Sequence, residues 1–468
     1  MSDLNAEAEF VVLESEPARV DLVDSRPAQW LNTALFCAFC GLLFFLPLAL
    51  GAVDDWSILV LEAGAALLFL LWAARELLTP RPAFAANPVL APALAFGGVV
   101  LLQVLLRIST YGWITRREAL LHAAYFLLMF VASQLLTDDT MVRRFAIAAA
   151  IFGFAVAVFA LVQDFTSQGV VYWVIQPQFK SNVFGPYVNR NHYAGLMEML
   201  APLALSVAVL VKLTPGKRLL LLFGAVVMGG SVLLSLSRGG MLAFAAQMLL
   251  FVFWVVRRAD TRRAALPLIV TGGLILAFAS WVGARQMMQR ATSISESVGT
   301  SSDVRAAVSR DGLRMAARRP LLGWGLGSFP SSYPRFRSFY SEKFINQAHN
   351  DWVQLLAETG ILGFAAAMWF LFRLYRAAWQ NLQQFPRHLN EAIRLGGLLG
   401  VTALLVHGFV DFNLHIPANA AIFYVLCAVA AGKPTPPAPA RRRSPAQADH
   451  QPEQIDSVAE PEPLPDTL

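Results

Sequence analysis

Residues 346–379 read NQAHNDWVQLLAETGILGFAAAMWFLFRLYRAAW. The stretch opens with polar side chains, among them His349, Asn350 and Asp351, and then becomes apolar for most of its length. An apolar segment of about 20 residues is long enough for a helix that spans the hydrocarbon core of a bilayer. Ionisable groups at such a helix are costly and therefore indicate function. The stretch predicts a membrane helix over 353–379 with a functional group at its entrance.

The composition of the whole chain agrees with a membrane location. Of its 468 residues 56% are hydrophobic and 15% are charged, and the mean hydropathy is +0.53. Soluble domains carry about 25% charged residues. Because backbone hydrogen bonds must close within each spanning segment, helices are the expected elements, not a barrel. We therefore predict an all-α, polytopic transmembrane helical bundle.

Long apolar segments recur about twelve times along the chain, with boundaries good to a few residues. The predicted spans are 30–50, 56–74, 88–106, 119–136, 144–165, 192–212, 218–236, 239–257, 264–284, 353–379, 395–412 and 416–432.

The positions of the basic residues predict the orientation of these spans. Lysine and arginine concentrate in alternate short loops, such as Arg143 with Arg144 and Arg257 with Arg258, and this bias marks the cytoplasmic side. The net charge of +6 therefore does not indicate nucleic-acid binding. The predicted organisation is a cytoplasmic N-terminal segment (1–29), spans one to nine (30–284), a large outer loop (285–352), spans ten to twelve (353–432) and a disordered cytoplasmic tail (433–468).

The outer loop has an ordered part in this prediction. Ser302 or Asp303 is a typical helix N-cap, and the helix that follows is expected to end before Pro320. Arg310 and Arg314 then lie on one basic face of that helix. Such a face suits an anionic membrane surface, although an ordinary solvated face has the same pattern.

Ionisable and polar residues gather at the predicted outer ends of several spans. The clusters are Asn189, Arg190, Asn191, His192 and Glu198; Ser237 and Arg238; Arg305 and His349; and His407, Asp411, Asn413 and His415. Asn191 and Glu198 are seven residues apart and share a helix face. His407 and Asp411 are four apart, so they can touch across one turn. The parity of the spans places all four clusters on the same side of the membrane.

Arginine and histidine together indicate a substrate class. An arginine side chain offers a fixed fork of donors to phosphate oxygens. A histidine can take a proton from a hydroxyl group near neutral pH. The outer side therefore suits a lipid-linked diphosphate and a hydroxyl acceptor. No HExxH motif and no dense carboxylate cluster is present on that side, so neither a metal site nor a cofactor is predicted.

At this point several motifs, in order, resemble the O-antigen ligase/polymerase superfamily of bacterial membrane glycosyltransferases. They are NRNHYAGLMEMLAP, SLSRGG, RAAVSRDGLRMAARRPLLGWGLGSF, AHNDWVQLLAETGILG and HGFVDFNLHIPANA. The resemblance covers about residues 180–430, and the first five spans match only in hydropathy. No single motif is specific to this superfamily. The occurrence of these motifs in this order, at these span ends, is more specific.

The resemblance implies a role for each matching residue. His349 would be catalytic and would activate or position the acceptor hydroxyl. Three arginines would bind the diphosphate and stabilise the leaving group: Arg238, Arg305 and Arg190. Residues expected to support the site are Asn191, His192, Glu198, Asn350, Glu358, His407 and Asp411. For His349 the plainer alternative is a capping or interfacial residue at a helix start, since Asn350 could cap equally well.

The resemblance also implies partners and a location. The donor would be a glycan on undecaprenyl diphosphate, transferred without a metal and with inversion on the periplasmic side of the bacterial inner membrane. Both termini would be cytoplasmic, and the other expected partners are membrane lipids. The acceptor could be lipid A–core, a growing glycan or a protein, so the chain could be a ligase, a chain polymerase or a protein O-oligosaccharyltransferase. A secondary transporter is the distant alternative, and it should show broken helices and charged groups near mid-membrane.

Overall fold

The computed structural model describes residues 26–77, 84–167, 169–177, 183–258, 261–342, 344–384 and 389–433, without the side chains of 26–29, 283–303 and 384. Most of the predicted N-terminal segment (1–29) and nearly all of the predicted tail (433–468) lie outside these residues. The predicted structure and location of both ends therefore stay predictions.

A helix coincides with most of each of the twelve predicted spans. The helices are α1 (Arg26–Leu48), α2 (Asp55–Leu77), α3 (Leu90–Leu105), α4 (Gly112–Leu135), α5 (Asp139–Thr166), α6 (Arg190–Leu210), α7 (Pro215–Leu234), α8 (Arg238–Arg257), α9 (Ala265–Arg318), α10 (Phe329–Ser332), α11 (Asp351–Gln384), α12 (Leu389–His407) and α13 (Pro417–Ala431).

Among the described residues, 10 helices are long and apolar enough to cross a membrane. The shorter helices α3 and α13 are apolar too. The same part of the chain forms no strand, only isolated bridges at Val171–Ile175 and Phe184–Tyr187. The prediction of an all-α, multi-pass membrane protein is confirmed, and the 10 long and two shorter apolar helices are compatible with about twelve spans.

The centre of the bundle is the contact between α6 and α12. The helix α6 is buried continuously from His192 to Ala208. Glycines on α12 let the two backbones approach closely: a Cβ atom on Gly400 would lie 2.8 Å from the Cα atom of Met199. Small residues at helix contacts are the usual means of tight packing in membranes. The close packing brings the start of α6 next to the end of α12, and we call this end of the bundle the site end.

The helix α11 is broken at Gly360, which has φ 64° and ψ −167°. An adjacent loop supplies the backbone hydrogen bonds that the break leaves open. The Ile361 amide donates to the Pro320 carbonyl at 2.7 Å, and the Gly325 amide donates to the Glu358 carbonyl at 2.9 Å. Unpaired backbone groups are unfavourable within a membrane. The loop of residues 320–325 therefore stabilises α11, because it supplies the hydrogen bonds that the helix lacks at its break.

Three predicted boundaries are wrong in detail. The predicted continuous span 353–379 is the broken helix α11. The helix α9 extends beyond its candidate membrane span, Arg262–Val282, which agrees with the predicted span end at 284. It continues through Ser302 and Asp303, so neither residue begins a helix as predicted. The helix α9 does end at Arg318, before Pro320, as predicted. The helix α12 ends at His407 instead of at 412, and this early end changes the partners of the residues that follow.

Candidate active site

The predicted clusters meet around the segment 408–416 between α12 and α13, which we call the α12–α13 connection. The Arg305 guanidinium on α9 donates to the Val410 carbonyl at 3.0 Å. The Asp351 amide at the start of α11 donates to the Gly408 carbonyl at 2.8 Å. Three elements far apart in sequence are thus joined at one place.

Among the imidazole–carboxylate pairs at the site end in the described part of the chain, His349–Asp411 has the most exposed imidazole. The Nδ1 atom of His349 lies 3.5 Å from Oδ1 of Asp411, and their side chains are 34% and 2% exposed. The other carboxylate oxygen, Oδ2, accepts a hydrogen bond from the Asn191 amide group. One edge of the imidazole thus faces a buried carboxylate, while part of the ring remains accessible to a substrate.

The charge state of Asp411 follows from its surroundings. Burial by itself would raise the pKa of this carboxyl. The His349 imidazole and the nearby rings of His192 and His407 act in the opposite direction and hold the pKa well below its usual range. Asp411 is therefore a carboxylate at neutral pH, and it can stabilise positive charge that develops on His349.

His349 has an unusual backbone conformation that its neighbours maintain. Its φ is +49°, in the left-handed region that few residues other than glycine adopt. On one side the Ala348 amide donates to Oε1 of Gln354 at 2.8 Å. On the other side the Asn350 side chain caps α11 by accepting from the Val353 amide at 3.1 Å. Backbone strain of this kind occurs at sites where a side chain must be aimed.

Phe412 separates two histidines of the site. Its ring lies edge-to-face with His349, with ring centres 4.8 Å apart, and edge-to-face with His192 at 4.9 Å. The Nε2 atom of His192 is buried and has no hydrogen-bond partner among the described residues. A buried polar atom without a partner is unfavourable, so this atom is a candidate contact for a bound ligand.

Glu198 and His407 form a second pair that is sealed inside the bundle. The His407 Nδ1 atom lies 3.1 Å from Oε1 of Glu198, and both side chains are 0% exposed. A Cβ atom on Gly239 would lie 2.7 Å from Nε2 of His407. Gly239 therefore packs directly on His407 of the sealed pair, and Arg238 is the residue before it on α8.

The four-residue spacing of His407 and Asp411 predicted a contact between the two side chains, and this prediction is wrong. Because α12 ends at His407, Asp411 lies in the connection and not one turn further along a helix. His407 takes Glu198 as its partner, and Asp411 takes Asn191 and His349.

The three predicted phosphate-binding arginines lie on the starts of α6 and α8 and on α9. Arg238 is the exposed first residue of α8, directly after its N-cap Ser237. Arg305 is partly buried beside Val410. Arg190 is also partly buried, and its Nη1 atom has no hydrogen-bond partner among the described residues. These guanidinium groups provide donors for an anion at the site end.

The family model for O-antigen ligase matches residues 223–368. The chain contains an O-antigen ligase domain. No curated protein matches the chain. The O-antigen ligase domain runs from α7 into α11 and includes Arg238, Arg305 and His349. The supporting residues on α6 and on the α12–α13 connection lie outside the match, but they complete the geometry around His349.

Within the O-antigen ligase domain, Glu358 anchors a loop. Its carboxylate accepts hydrogen bonds from the Gly327 amide at 2.8 Å and from the Phe329 amide at 3.0 Å. The Gln354 side chain donates to the same carboxylate at 3.2 Å. Glu358 therefore holds the segment before α10 against α11, and in the described part of the chain the structure gives it no contact with Arg190, Arg238 or Arg305.

One pair was not predicted. The Nδ1 atom of His415 lies 2.8 Å from Oδ1 of Asp351, and the Leu414 amide donates to the same carboxylate at 3.3 Å. Burial by itself would lower the pKa of His415, but the hydrogen bond to Asp351 and the charges of Asp351 and Glu358 raise it to about 9. The pair joins the α12–α13 connection to the O-antigen ligase domain. Both residues lie in the motifs quoted above. Because burying either charge alone is costly, the sequence could have indicated that these two residues pair with each other.

Proposed function

We propose that this protein is a membrane glycosyltransferase that moves a glycan from undecaprenyl diphosphate to an acceptor hydroxyl on the periplasmic face. The O-antigen ligase domain supports an enzyme of the O-antigen ligase/polymerase type. One observation carries the finer proposal. The accessible imidazole of His349 lies against the buried carboxylate of Asp411, within a site that also holds a buried guanidinium nitrogen of Arg190 without a hydrogen-bond partner among the described residues.

His349 would act as the general base. Its Nδ1 atom faces Asp411, so Nε2 is the atom that would receive the proton of the acceptor hydroxyl. The acceptor oxygen then bonds to the anomeric carbon, and the bond from that carbon to the diphosphate oxygen breaks. The electron pair of this bond leaves with undecaprenyl diphosphate. Attack from the face opposite the leaving group inverts the anomeric centre, and Asp411 stabilises the imidazolium that forms.

The arginines would bind the diphosphate and stabilise the charge it gains as it leaves. Donors that are already oriented toward developing charge stabilise a transition state effectively because they need little rearrangement. In this proposal Arg238 and Arg305 make the main contacts. Arg190 supplies a third contact through its unpartnered nitrogen atom. Neutralisation of the diphosphate by arginine requires no metal in this mechanism.

In the bacterial inner membrane, where this reaction is proposed, the distribution of lysine and arginine supports an orientation with both termini cytoplasmic and the site end periplasmic. A transporter would use a broken helix to bind its substrate. In this chain the break at Gly360 is occupied by the loop 320–325. The break therefore does not favour transport.

Reconstitution of the purified protein with an undecaprenyl-diphosphate-linked glycan tests the reaction. We expect Arg305→Ala to abolish transfer while Arg310→Ala, on an exposed position of the same helix, transfers like the wild type. Equal transfer by both variants would remove Arg305 from the site.

In a deletion strain, bare lipid A–core with stranded polymer would indicate a ligase. Single repeat units would indicate a polymerase, and loss of glycan from proteins would indicate a protein glycosyltransferase.

A further inference from the structure

A third imidazole–carboxylate pair lies next to the open pair and joins the same two segments. Asp351 lies two residues after His349, at the start of α11. His415 lies four residues after Asp411, in the α12–α13 connection. The Nδ1 atom of His415 lies 2.8 Å from Oδ1 of Asp351. Each segment therefore supplies a histidine to one pair and an aspartate to the other, and the two pairs connect the segments twice.

The contact at Asp351 is the tighter of the two connections. Its 2.8 Å separation from His415 is that of a good hydrogen bond, whereas the 3.5 Å of the open pair is not. Asp351 makes two further contacts with the connection. Its amide donates to the Gly408 carbonyl at 2.8 Å, and its carboxylate accepts from the Leu414 amide at 3.3 Å. The separation of the two segments is therefore set at Asp351, and the geometry of the open pair follows from it.

The surroundings of Asp351 leave it little room to move. A Cβ atom on Gly408 would lie 3.0 Å from Oδ2 of Asp351, so the carboxylate lies directly against the backbone of the connection. The side chain of Asp351 is 7% exposed, and charge-assisted hydrogen bonds are stronger than neutral ones. A strained backbone such as that of His349 persists only where its surroundings hold it in place. Asp351 provides such a restraint two residues away.

His415 differs from His349 in its charge. Burial would lower the pKa of His415, but the hydrogen bond to Asp351 and the nearby carboxylate charges raise it to about 9. At neutral pH His415 therefore already holds a proton and cannot take one from the acceptor hydroxyl. The titratable and charged groups around it are Asp351 and Glu358 on α11, Glu118 and His122 on α4, His192 on α6, Asp411 in the connection, and Arg116, Arg117, Tyr125 and Tyr424 along the neighbouring cavity.

We propose that Asp351 and His415 form a positioning pair that holds His349 against Asp411 during glycan transfer. The proposal rests on the proposed function, because it assigns the groups that orient the general base of that reaction. In this role neither residue contacts the reacting atoms, and both act through the spacing of the two segments. A misplacement of about 1 Å at a reacting group can cost about 10²-fold in rate, so loss of the pair should affect turnover more than substrate binding.

Two conservative substitutions test this role. His415→Gln and Asp351→Asn each remove the charged contact and keep a similar side-chain size. We expect each to lower the turnover number about tenfold and to leave the KM for the donor within about twofold, in assays on equal amounts of folded protein below the unfolding temperature. The double variant should be no slower than either single variant, because both substitutions remove the same contact.

A pH profile separates positioning from a general loss of stability. Because His415 loses its positive charge as the pH rises through about 9, the turnover number of the wild type should fall over the same range. His415→Gln should lack this fall. His122→Gln is the matched control, since His122 lies near His415 but its Nδ1 atom lies 2.8 Å from the Glu118 carbonyl oxygen on its own helix. The control should keep the fall.

The Asp411→Asn background shows whether the positioning pair acts through the open pair. In this background the contact between His349 and residue 411 is already weakened. We therefore expect His415→Gln to lower the turnover number by less than about threefold there, compared with about tenfold in the wild type. A full tenfold loss in both backgrounds would show that His415 acts independently of the open pair, and this would overturn the inference.

Three further results would also overturn it. Wild-type turnover in both His415→Gln and Asp351→Asn would show that the pair does not position His349. A raised donor KM with an unchanged turnover number would place the pair in donor binding. A fall above about pH 9 that persists in His415→Gln would belong to another group. All of these leave the glycosyltransferase reaction intact, whereas full transfer by an Arg305→Ala variant would contradict the reaction itself.

Discussion

Two of the imidazole–carboxylate pairs at the site end, Glu198–His407 and His349–Asp411, differ in one property that decides what each can do. The Glu198–His407 pair is 3.1 Å apart and completely buried. The His349–Asp411 pair is 3.5 Å apart, and its imidazole is 34% exposed. A sealed pair can position its neighbours but cannot exchange a proton with a substrate. An open pair can do so, and for this reason we assign the chemistry to His349 and a positioning role to His407.

The largest effect is expected from the open pair. His349→Ala should lower the transfer rate by about 10³-fold or more, because the general base is lost. The unfolding temperature should stay near that of the wild type, since the side chain is partly exposed. Transfer assays on equal amounts of folded protein measure this effect. Wild-type rates in the variant would contradict the assignment.

Arg238→Lys should lower transfer by about 10²-fold, although the charge is kept. Lysine is a point charge and cannot make the two parallel contacts that a guanidinium makes with a phosphate. The comparison with Arg238→Ala separates the contribution of the charge from that of the two parallel contacts. The alanine variant loses both and should be slower still. A lysine variant with wild-type transfer would show that only charge is needed at this position.

Asp411→Asn should lower the turnover number about tenfold and leave the KM for the donor unchanged. The amide keeps the size of the side chain but no longer stabilises an imidazolium on His349. Its hydrogen bond with Asn191 can survive by a change of orientation, which limits structural damage. An increase in the donor KM with an unchanged turnover number would instead place Asp411 in donor binding.

The sealed pair should show the opposite pattern. Glu198→Ala leaves the buried Nδ1 atom of His407 without its hydrogen-bond partner, and an unsatisfied buried polar group costs about 1–3 kcal/mol. We expect a clearly lower unfolding temperature and less protein in the membrane, while transfer per folded molecule stays within about threefold of the wild type. A stable variant with no transfer would move Glu198 into the chemistry.

The smallest effect concerns pH. Because the pKa of His415 is raised to about 9 in the folded protein, its pairing with Asp351 stabilises the fold fully below the unfolded pKa of about 6.5. This stabilisation is lost as the pH rises through about 9. The unfolding temperature of the wild type should fall more between about pH 7 and about pH 10 than that of His415→Gln. Equal falls would show that the pair is not charged.

The fold was largely predictable because hydropathy reports directly on membrane burial. Each predicted span coincides with a helix, and most ends agree within a few residues. The break at Gly360 was not predictable in this way, because the residues on both sides are apolar and an average over the span cannot detect it. The hydrogen bonds that compensate the break come from residues about 40 positions earlier, and sequence spacing does not reveal such contacts.

The site was predictable as a group of residues but not as a set of pairs. The parity of the spans placed Glu198, His349, His407 and Asp411 at one end of the bundle, and the structure brings these residues together. The partners depend on where α12 ends. A helix that continued to 412 would have paired His407 with Asp411, whereas its end at His407 leaves Glu198 as the partner. A difference of five residues thus changes the chemistry of the site.

The glycine pair at the break has a consequence for hybrid proteins. A Cβ atom on Gly323 would lie 2.4 Å from the Glu358 backbone, and one on Gly360 would lie 2.4 Å from the Leu321 carbonyl oxygen. The loop and the helix therefore fit each other at the level of backbone atoms. In a chimera that takes this loop from one parent and α11 from another, nothing ensures that the two segments have the complementary backbone shapes that this close contact requires. We therefore expect residues 320–362 to be exchangeable between such proteins only as one unit.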